Sequence, residues 1–400
     1  MNVLVIGGGA SGMMAALTAA EHGHTVTLLE RQSRVGRKLL ATGNGRCNLT
    51  NRRAAPERYH GETPDFCRAA LEHFPVEATL RWFETIGLVT ATEESGRVYP
   101  YSNMAGSVLD VLRFALERQH IDLHTGCVVT NIRKKGNTFT VTTESGEVFT
   151  AQRVILAAGG AAGGKVGGVM DGYRLAKSLG HHRTALYPAL VQLKTDPTYP
   201  RALKGVKAEC AVALRRGDTT LAQRQGEILF TEYGISGPAV FDISRAAATG
   251  GEHLRVHLDL LPQWDGNTVF DWLTARQAQA GTREAGSLLT GALHARLGQM
   301  VCKSAGFTNQ PADTLTADDL RRIAQQVKDF ALPVEGVCGF DQAQVTAGGL
   351  RCDEFHPDTL ESRLVSGFYA CGEVLDIDGD CGGFNLQWAW SSGRLAGELN

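Results

Sequence analysis

Paired cysteines are missing from this chain. Its nine cysteines include no CxxC pair and no compact Cys/His cluster, which excludes a dithiol redox motif, a zinc ribbon and the dense disulfide framework of a small secreted scaffold. Net charge is nearly absent as well. At -2 there is no global field to draw the chain to nucleic acid or to an anionic membrane, so any such partner has to be met by a local patch. The apolar opening MNVLVIGGGASGMMAALTAA has no basic start and is interrupted by glycines, so it does not read as a signal peptide. No other segment is long and apolar enough to span a bilayer. The histidines, His181 and His182 included, show no ligand spacing. DIDGD, residues 376–380, lacks the later Glu of a calcium loop. These absences lead us to expect a cytoplasmic protein with no metal and no membrane association.

What is present is glycine in particular places. Asn2 to Ile6 is a Val/Leu/Ile strand, GGGASG follows at Gly7 to Gly12, and an alanine-rich helical stretch runs to Glu21. HTVTLLE, His24 to Glu30, is the next strand, so the first thirty residues form a βαβ unit with an acid at its end. The glycines act separately. Gly7 makes the tight turn, Gly9 lets backbone approach a pyrophosphate, and Gly12 lets helix pack on strand. Glu30 is then placed to accept the ribose hydroxyls. A GxGxxG alone is weak evidence, but here strand, helix and terminal acid are in register.

Two further strands end in glycine, RVILAAGG at Arg153 to Gly160 and GFYACGE at Gly367 to Glu373. Ahead of the first, TFTVTTESGEVFTAQ reads as a β meander turning at SGE. Between them the composition changes to Thr/Val/Leu-rich strands and then to helical stretches. We therefore expect an α/β chain with a doubly wound Rossmann-like domain in two parts, 1–189 and 341–400, and an inserted β-rich plus helical domain over 190–340.

Three glycine-terminated strands, early, midway and late, are the layout of flavoproteins with an extended FAD. The motifs VIGGGASGMMAA, VGRKLLATGNGRCNLTN, DGYRLAKSLGH, GEILFTEYGISGPAVFDIS, QVTAGGL and GEVLDIDGDCGGFNLQWAWSSG cover most of the chain in order. By them the sequence resembles the BaiN/RdsA-type FAD flavoproteins. The resemblance implies cofactor contacts at Gly7, Gly9, Ala10, Ser11, Gly12, Glu30 and Arg31, then at Arg37, Lys38, Gly43, Asn44, Arg46 and Cys47. It implies others at Val128, Ala158, Gly159 and Gly160, and late ones at Gly372, Glu373, Gly383, Asn385 and Leu386. Physical chemistry agrees: a pyrophosphate calls for helix N-terminal amides and cations, a ribityl chain for a carboxylate, and the reduced flavin edge for a positive helix end. The DIDGD loop is expected on the ribityl side. From Ala161 to Met170 the chain departs from the family pattern, and nothing is carried over there.

Arg31 to Arg58 holds eight cations, Arg31, Arg34, Arg37, Lys38, Arg46, Arg52, Arg53 and Arg58, against Glu57 alone. This is either a solvated face or a surface for a polyanion beside the flavin. Cys47 lies in NGRCN; it is either a buried inert thiol or a general acid with a pKa near neutral. In the inserted domain, Glu232, Tyr233 and Ser236 are candidates to face the flavin. No second GxGxxG with a trailing acid occurs, so NADPH or NADH, as electron donor, has to dock transiently. The resemblance implies hydride delivery from flavin to a polarised C=C bond. Uridine in large-subunit rRNA is the expected target because of the basic run; the alternatives are a bile-acid-like enone or an amine.

Overall fold

A computed structural model describes residues 1–399. The chain divides into two compact units, one made of residues 1–187 with 344–400 and the other of residues 188–343.

The first unit is built on a five-stranded sheet. Its strands are β1 (Asn2–Ile6), β2 (Thr25–Glu30), β3 (Asp122–Thr125), β4 (Arg153–Leu156) and β5 (Phe368–Ala370), in the order β5-β4-β1-β2-β3. Every pairing is parallel, with Leu4 beside Thr27 on one side and Val154 on the other. Parallel strands are covered on both faces, which explains why β1 and β4 read as unbroken runs of Val, Ile and Leu rather than as alternation. Helix α1 (Ala10–Glu21) leaves β1, and α2 (Phe384–Glu398) packs against it. Small residues permit that approach: a Cβ at Gly393 would stand 2.5 Å from the Ser11 carbonyl oxygen, and one at Gly397 2.6 Å from that of Ala15. This contact, with Trp388 and Trp390 buried on α2, gives the unit its core. The sequence's α/β class is therefore the observed one.

A buried polar node ties residues 352–363 to this unit. His181 stacks on Phe355 with ring centroids 4.6 Å apart. Ser362 Oγ already accepts the N–H groups of Leu364 and Val365, so its own proton is free for His181 Nε2 at 2.9 Å, and Nδ1 then donates to Glu354 at 2.9 Å. Burial lowers the imidazole pKa below its ordinary 6.5. A depressed histidine contributes stability above the unfolded pKa and loses it as pH falls below about 6.5. The urea midpoint should therefore drop between about pH 7.5 and pH 5.5, and His181→Gln should flatten that dependence.

The second unit has a closed barrel, in the order 193–195, 234–236, 219–230, 207–216, 254–259 and 330–337. Closure removes exposed strand edges. Helices Gly266–Ala280, Ala295–Ser304 and Ala317–Lys328 bury their apolar faces in a core of its own. The last begins at a capping box between Thr316 and Asp319.

Candidate cofactor site

The site starts from three glycines in three different environments. Gly7 sits at φ 111°, and a Cβ there would lie 2.4 Å from the Ala157 carbonyl oxygen. A Cβ on Gly12 would fall 1.8 Å from the Gly7 oxygen, so α1 rests directly on the turn. Gly9, the N-cap, has ordinary extended backbone and nothing within 4 Å of its absent Cβ. No side chain caps the helix start, which leaves its first amides facing open space. That is the form of an anion site at a helix N-terminus.

Glu30 closes one side. Its carboxylate accepts Gly8 N–H at 2.7 Å and Gln32 N–H at 2.6 Å; burial raises its pKa against the opposing pull of those two amides. Gly36, at φ 70°, folds the next loop back so that its N–H reaches the Gly8 oxygen at 2.8 Å. From this loop Arg31 pairs with Asp171 at 2.7 Å, Arg37 donates to Gln32 at 2.6 Å, and Lys38 pairs with Glu373 at 2.6 Å. The other Glu373 oxygen accepts Thr346 N–H at 2.9 Å.

These groups line one continuous cavity enclosing about 1330 Å³ of atom-free space, part of it open to solvent. It brings together Gly7, Gly9, Ala10, Ser11, Glu30, Arg31, Arg37, Lys38 and Val128 with Ala158, Gly159, Gly160, Glu373, Asn385 and Leu386. The donor set fits FAD: an open helix start for the pyrophosphate, a carboxylate on the same cavity for ribose, and the beginning of α2 at the other end. Asn385 serves by position, because its side-chain amide is engaged with Gly379, accepting at 2.9 Å and donating at 2.8 Å.

Seven expected contacts do not line the cavity, and each has a physical reason. Gly12 is used in helix packing. Gly43 and Asn44 hold left-handed backbone inside the turn Thr42–Gly45, at φ 58° and 57°. The Arg46 guanidinium lies 3.9 Å over the Tyr99 ring and is bound to Glu93 and Asn103. Gly372 abuts Ser11, and Gly383 presses on the Thr50 carbonyl at the start of α2. Cys47 is fully buried, and burial pushes its thiol up to about 12. This corrects the expectation of a near-neutral acid: a group so reluctant to ionise, shut off from the cavity, is a core residue. Cys47→Ala should keep its flavin and its turnover while losing about 1 kcal/mol of stability, measured by flavin reoxidation and chemical denaturation. The DIDGD loop is corrected too. Asp376 accepts Glu62 N–H at 3.0 Å and Asp380 meets Arg58 at 3.2 Å and His60 at 2.8 Å, so these buried carboxylates bind the loop to residues 58–62 and do not line the cavity.

Sequence reasoning missed Thr42, Asp171, Trp388 and the segment Val166 to Val169, all on the cavity wall. Trp388 stood inside a quoted motif; residues 166–169 lay where the family pattern breaks off.

The cation run is largely neutralised. Arg31, Lys38, Arg46, Arg52 and Arg58 each pair with a carboxylate, those of Asp171, Glu373, Glu93, Glu77 and Asp380. That leaves Arg34, Arg37 and Arg53 without one among the described residues. Among those residues no His/Cys/Asp/Glu group of three or more is placed to hold a metal ion, and no helix is long and apolar enough to cross a membrane.

A family model described as the HI0933-like protein Rossmann domain matches residues 1–399. The 3-dehydro-bile acid delta(4,6)-reductase of Clostridium scindens is 41% identical over 399 residues, covering 98% of this chain and 97% of that protein. The ribosomal RNA dihydrouridine synthase of Escherichia coli is 28% identical over 395 residues, covering 98% and 96%. Among solved structures, 3-ketosteroid delta1-dehydrogenase from Sterolibacterium denitrificans in complex with 1,4-androstadiene-3,17-dione aligns with a TM-score of 0.52 at 14% identity, over 99% of this chain and 98% of that one. At that identity the likeness is one of fold.

Proposed function

Because the chain belongs to the HI0933-like Rossmann family, whose members here are FAD-dependent oxidoreductases, we propose that it reduces the polarised C=C bond of a small cyclic enone, of the 3-oxo steroid type. The observation that carries this reading is the pairing of five of the eight cations with carboxylates of the same chain. The basic run was the reason to expect rRNA, and a cation already paired offers little to a phosphate. The identity of 41% to a bile-acid reductase, against 28% to an rRNA dihydrouridine synthase, points the same way.

The residues divide the work by chemistry. Bound and reduced, FAD supplies the hydride. The open start of α1 at Gly9 holds the pyrophosphate with unpaired amides, and Glu30 accepts the ribose hydroxyls. Glu373, held by Lys38 and Thr346, presents its carboxylate toward the ribityl chain. The start of α2 at Asn385 and Leu386 offers its positive end to the flavin edge, where negative charge gathers on reduction. Electrons come from NADPH or NADH docking transiently, since the fingerprint occurs once.

The test gives holoenzyme and NADPH either a 3-oxo-4,6-diene bile acid or protein-free large-subunit rRNA. Steroid gaining two hydrogens, with rRNA uridines untouched, is the expected result. Dihydrouridine in the rRNA with unchanged steroid would overturn the enone reading in favour of RNA.

A further inference from the structure

Two features that the sequence did not assign to the site, residues 166–169 and Asp171, close one side of the cavity. The first belongs to a pinned loop. Val169 N–H donates to the Gly160 carbonyl at 3.1 Å, and the N–H groups of Gly168 and Val166 both reach the Gly163 carbonyl, at 3.0 and 2.8 Å. Ala162 N–H is held by Thr346 Oγ1 at 3.0 Å, and a Cβ on Gly168 would stand 2.2 Å from the Ala162 carbonyl oxygen. The loop is therefore fixed both to itself and to the body of the unit. It leaves β4 and comes to rest on the segment that follows β2: its turn Gly164–Val166 packs on the helix Arg37–Ala41, and a Cβ on Gly167 would stand 3.7 Å from Gln32 Nε2. Strand β1 lies between β4 and β2, so the loop spans the end of β1, over the glycine turn.

Beside the loop runs a second span made of side chains alone. Arg31, one residue past β2, donates to Asp171 at 2.7 Å across the same interval, and both residues line the cavity. The aspartate end is held fast. Its other oxygen is bound by Arg174 of the same helix, Asp171–Ser178, and the next residue, Gly172, is wedged where a Cβ would come 2.8 Å from that of Ala158. The arginine end is not. Among the described residues its guanidinium has one hydrogen-bonded partner, and its side chain is 35% exposed. Lifting the loop means breaking several backbone hydrogen bonds, whereas opening the ion pair takes a change of rotamer at Arg31 and the loss of one partly exposed contact, which is worth little. The movable part of this closure is therefore Arg31.

We propose that Arg31 and Asp171 are a gate for the cofactor: the guanidinium swings off the aspartate to let FAD pass and returns to it once FAD is in place. The inference rests on the cofactor reading of the cavity. A gate has a kinetic consequence that a simple contact lacks. The pair is made in the free closed state and in the loaded closed state alike, so removing it raises the open fraction of each and speeds entry and release by one common factor. A residue that merely touches FAD alters release and leaves entry nearly alone.

The experiment compares the unsubstituted full-length protein with Asp171→Asn and Arg31→Met. Entry is followed by stopped-flow flavin fluorescence as apoprotein is mixed with FAD, and release by the same signal as holoenzyme is diluted. Both variants should take up and release FAD about fivefold faster, the upper end of what a partly exposed ion pair contributes, while the dissociation constant moves by less than about twofold. Faster release at an unchanged rate of entry would make the pair an ordinary contact. Faster entry with tighter binding in Asp171→Asn would mean that Asp171 only competes with FAD for Arg31. Either result overturns the gate, and so do unchanged rates in both variants. If the unsubstituted protein takes up no FAD, the cofactor reading fails and takes the gate with it, an outcome told apart because it needs no substitution.

Discussion

Gly9→Val should purify as a folded but colourless protein. The N-cap backbone at Gly9, φ -79° and ψ -170°, is open to any L residue, and nothing lies within 4 Å of the position of its Cβ. The apoprotein therefore gains no clash, and its stability should change by about 0.5 kcal/mol or less. The new methyl groups would instead stand at the open amides of α1, where the pyrophosphate has to approach. Loss of FAD affinity by more than a hundredfold is expected, at least about 2.7 kcal/mol. Gly12→Ala provides the contrast. Its Cβ would fall 1.8 Å from the Gly7 oxygen, so that helix and turn have to separate and the unit itself should be lost from the soluble fraction. Equilibrium dialysis with FAD and denaturation of both variants check the pair. A yellow Gly9→Val protein would remove the pyrophosphate from this turn.

Glu30→Ala should damage both fold and cofactor binding. Its carboxylate satisfies two backbone N–H groups, the buried one of Gly8 and the partly buried one of Gln32, and an orphaned buried donor costs about 1–3 kcal/mol. Removal also deletes the cavity's acceptor for ribose, so FAD affinity should fall at least about tenfold, the 1.4 kcal/mol scale of one such contact. Glu30→Gln separates the two effects. Burial raises the Glu30 pKa, so the native state holds its proton more tightly than the unfolded chain. The stability of the unsubstituted apoprotein accordingly declines as pH rises from the ordinary carboxylate pKa of 4.5 to the raised one. Glutamine has no such proton, and its stability relative to glutamate should improve across that same window. Urea titrations of apoprotein at successive pH values measure this; a difference that does not move with pH would mean that Glu30 is not held against its burial.

The parts of the site that were legible in the sequence are those set by local backbone. GGGASG declares its turn, its open approach and its helix packing because each depends on a missing Cβ within a few residues, and Glu30 is placed by the length of β2. What the sequence concealed depends on residues distant in the chain. The carboxylates that neutralise the basic run lie from 25 to 335 residues away from their partners, so a block of like charge in sequence became a set of ion pairs in space. For Cys47 the sequence left a buried thiol and a general acid both open, and the burial of its side chain after a left-handed turn at φ 60° accords with the first. Arg46 is drawn to Tyr99 and Glu93 and not to the cavity. The barrel's strands were visible as Thr/Val/Leu runs, but their closure in the order found rests on pairings between strands far apart in sequence, such as 193–195 with 330–337, that no single segment announces.

The most direct test of the account is one anaerobic mixing experiment. The purified protein is loaded with FAD, reduced, freed of excess reductant and mixed with a 3-oxo-4,6-diene bile acid while the flavin absorbance is followed. The account predicts stoichiometric return of the oxidised flavin spectrum together with a steroid that has gained two hydrogens. A flavin that stays reduced in saturating steroid, yet is reoxidised by large-subunit rRNA, would contradict it.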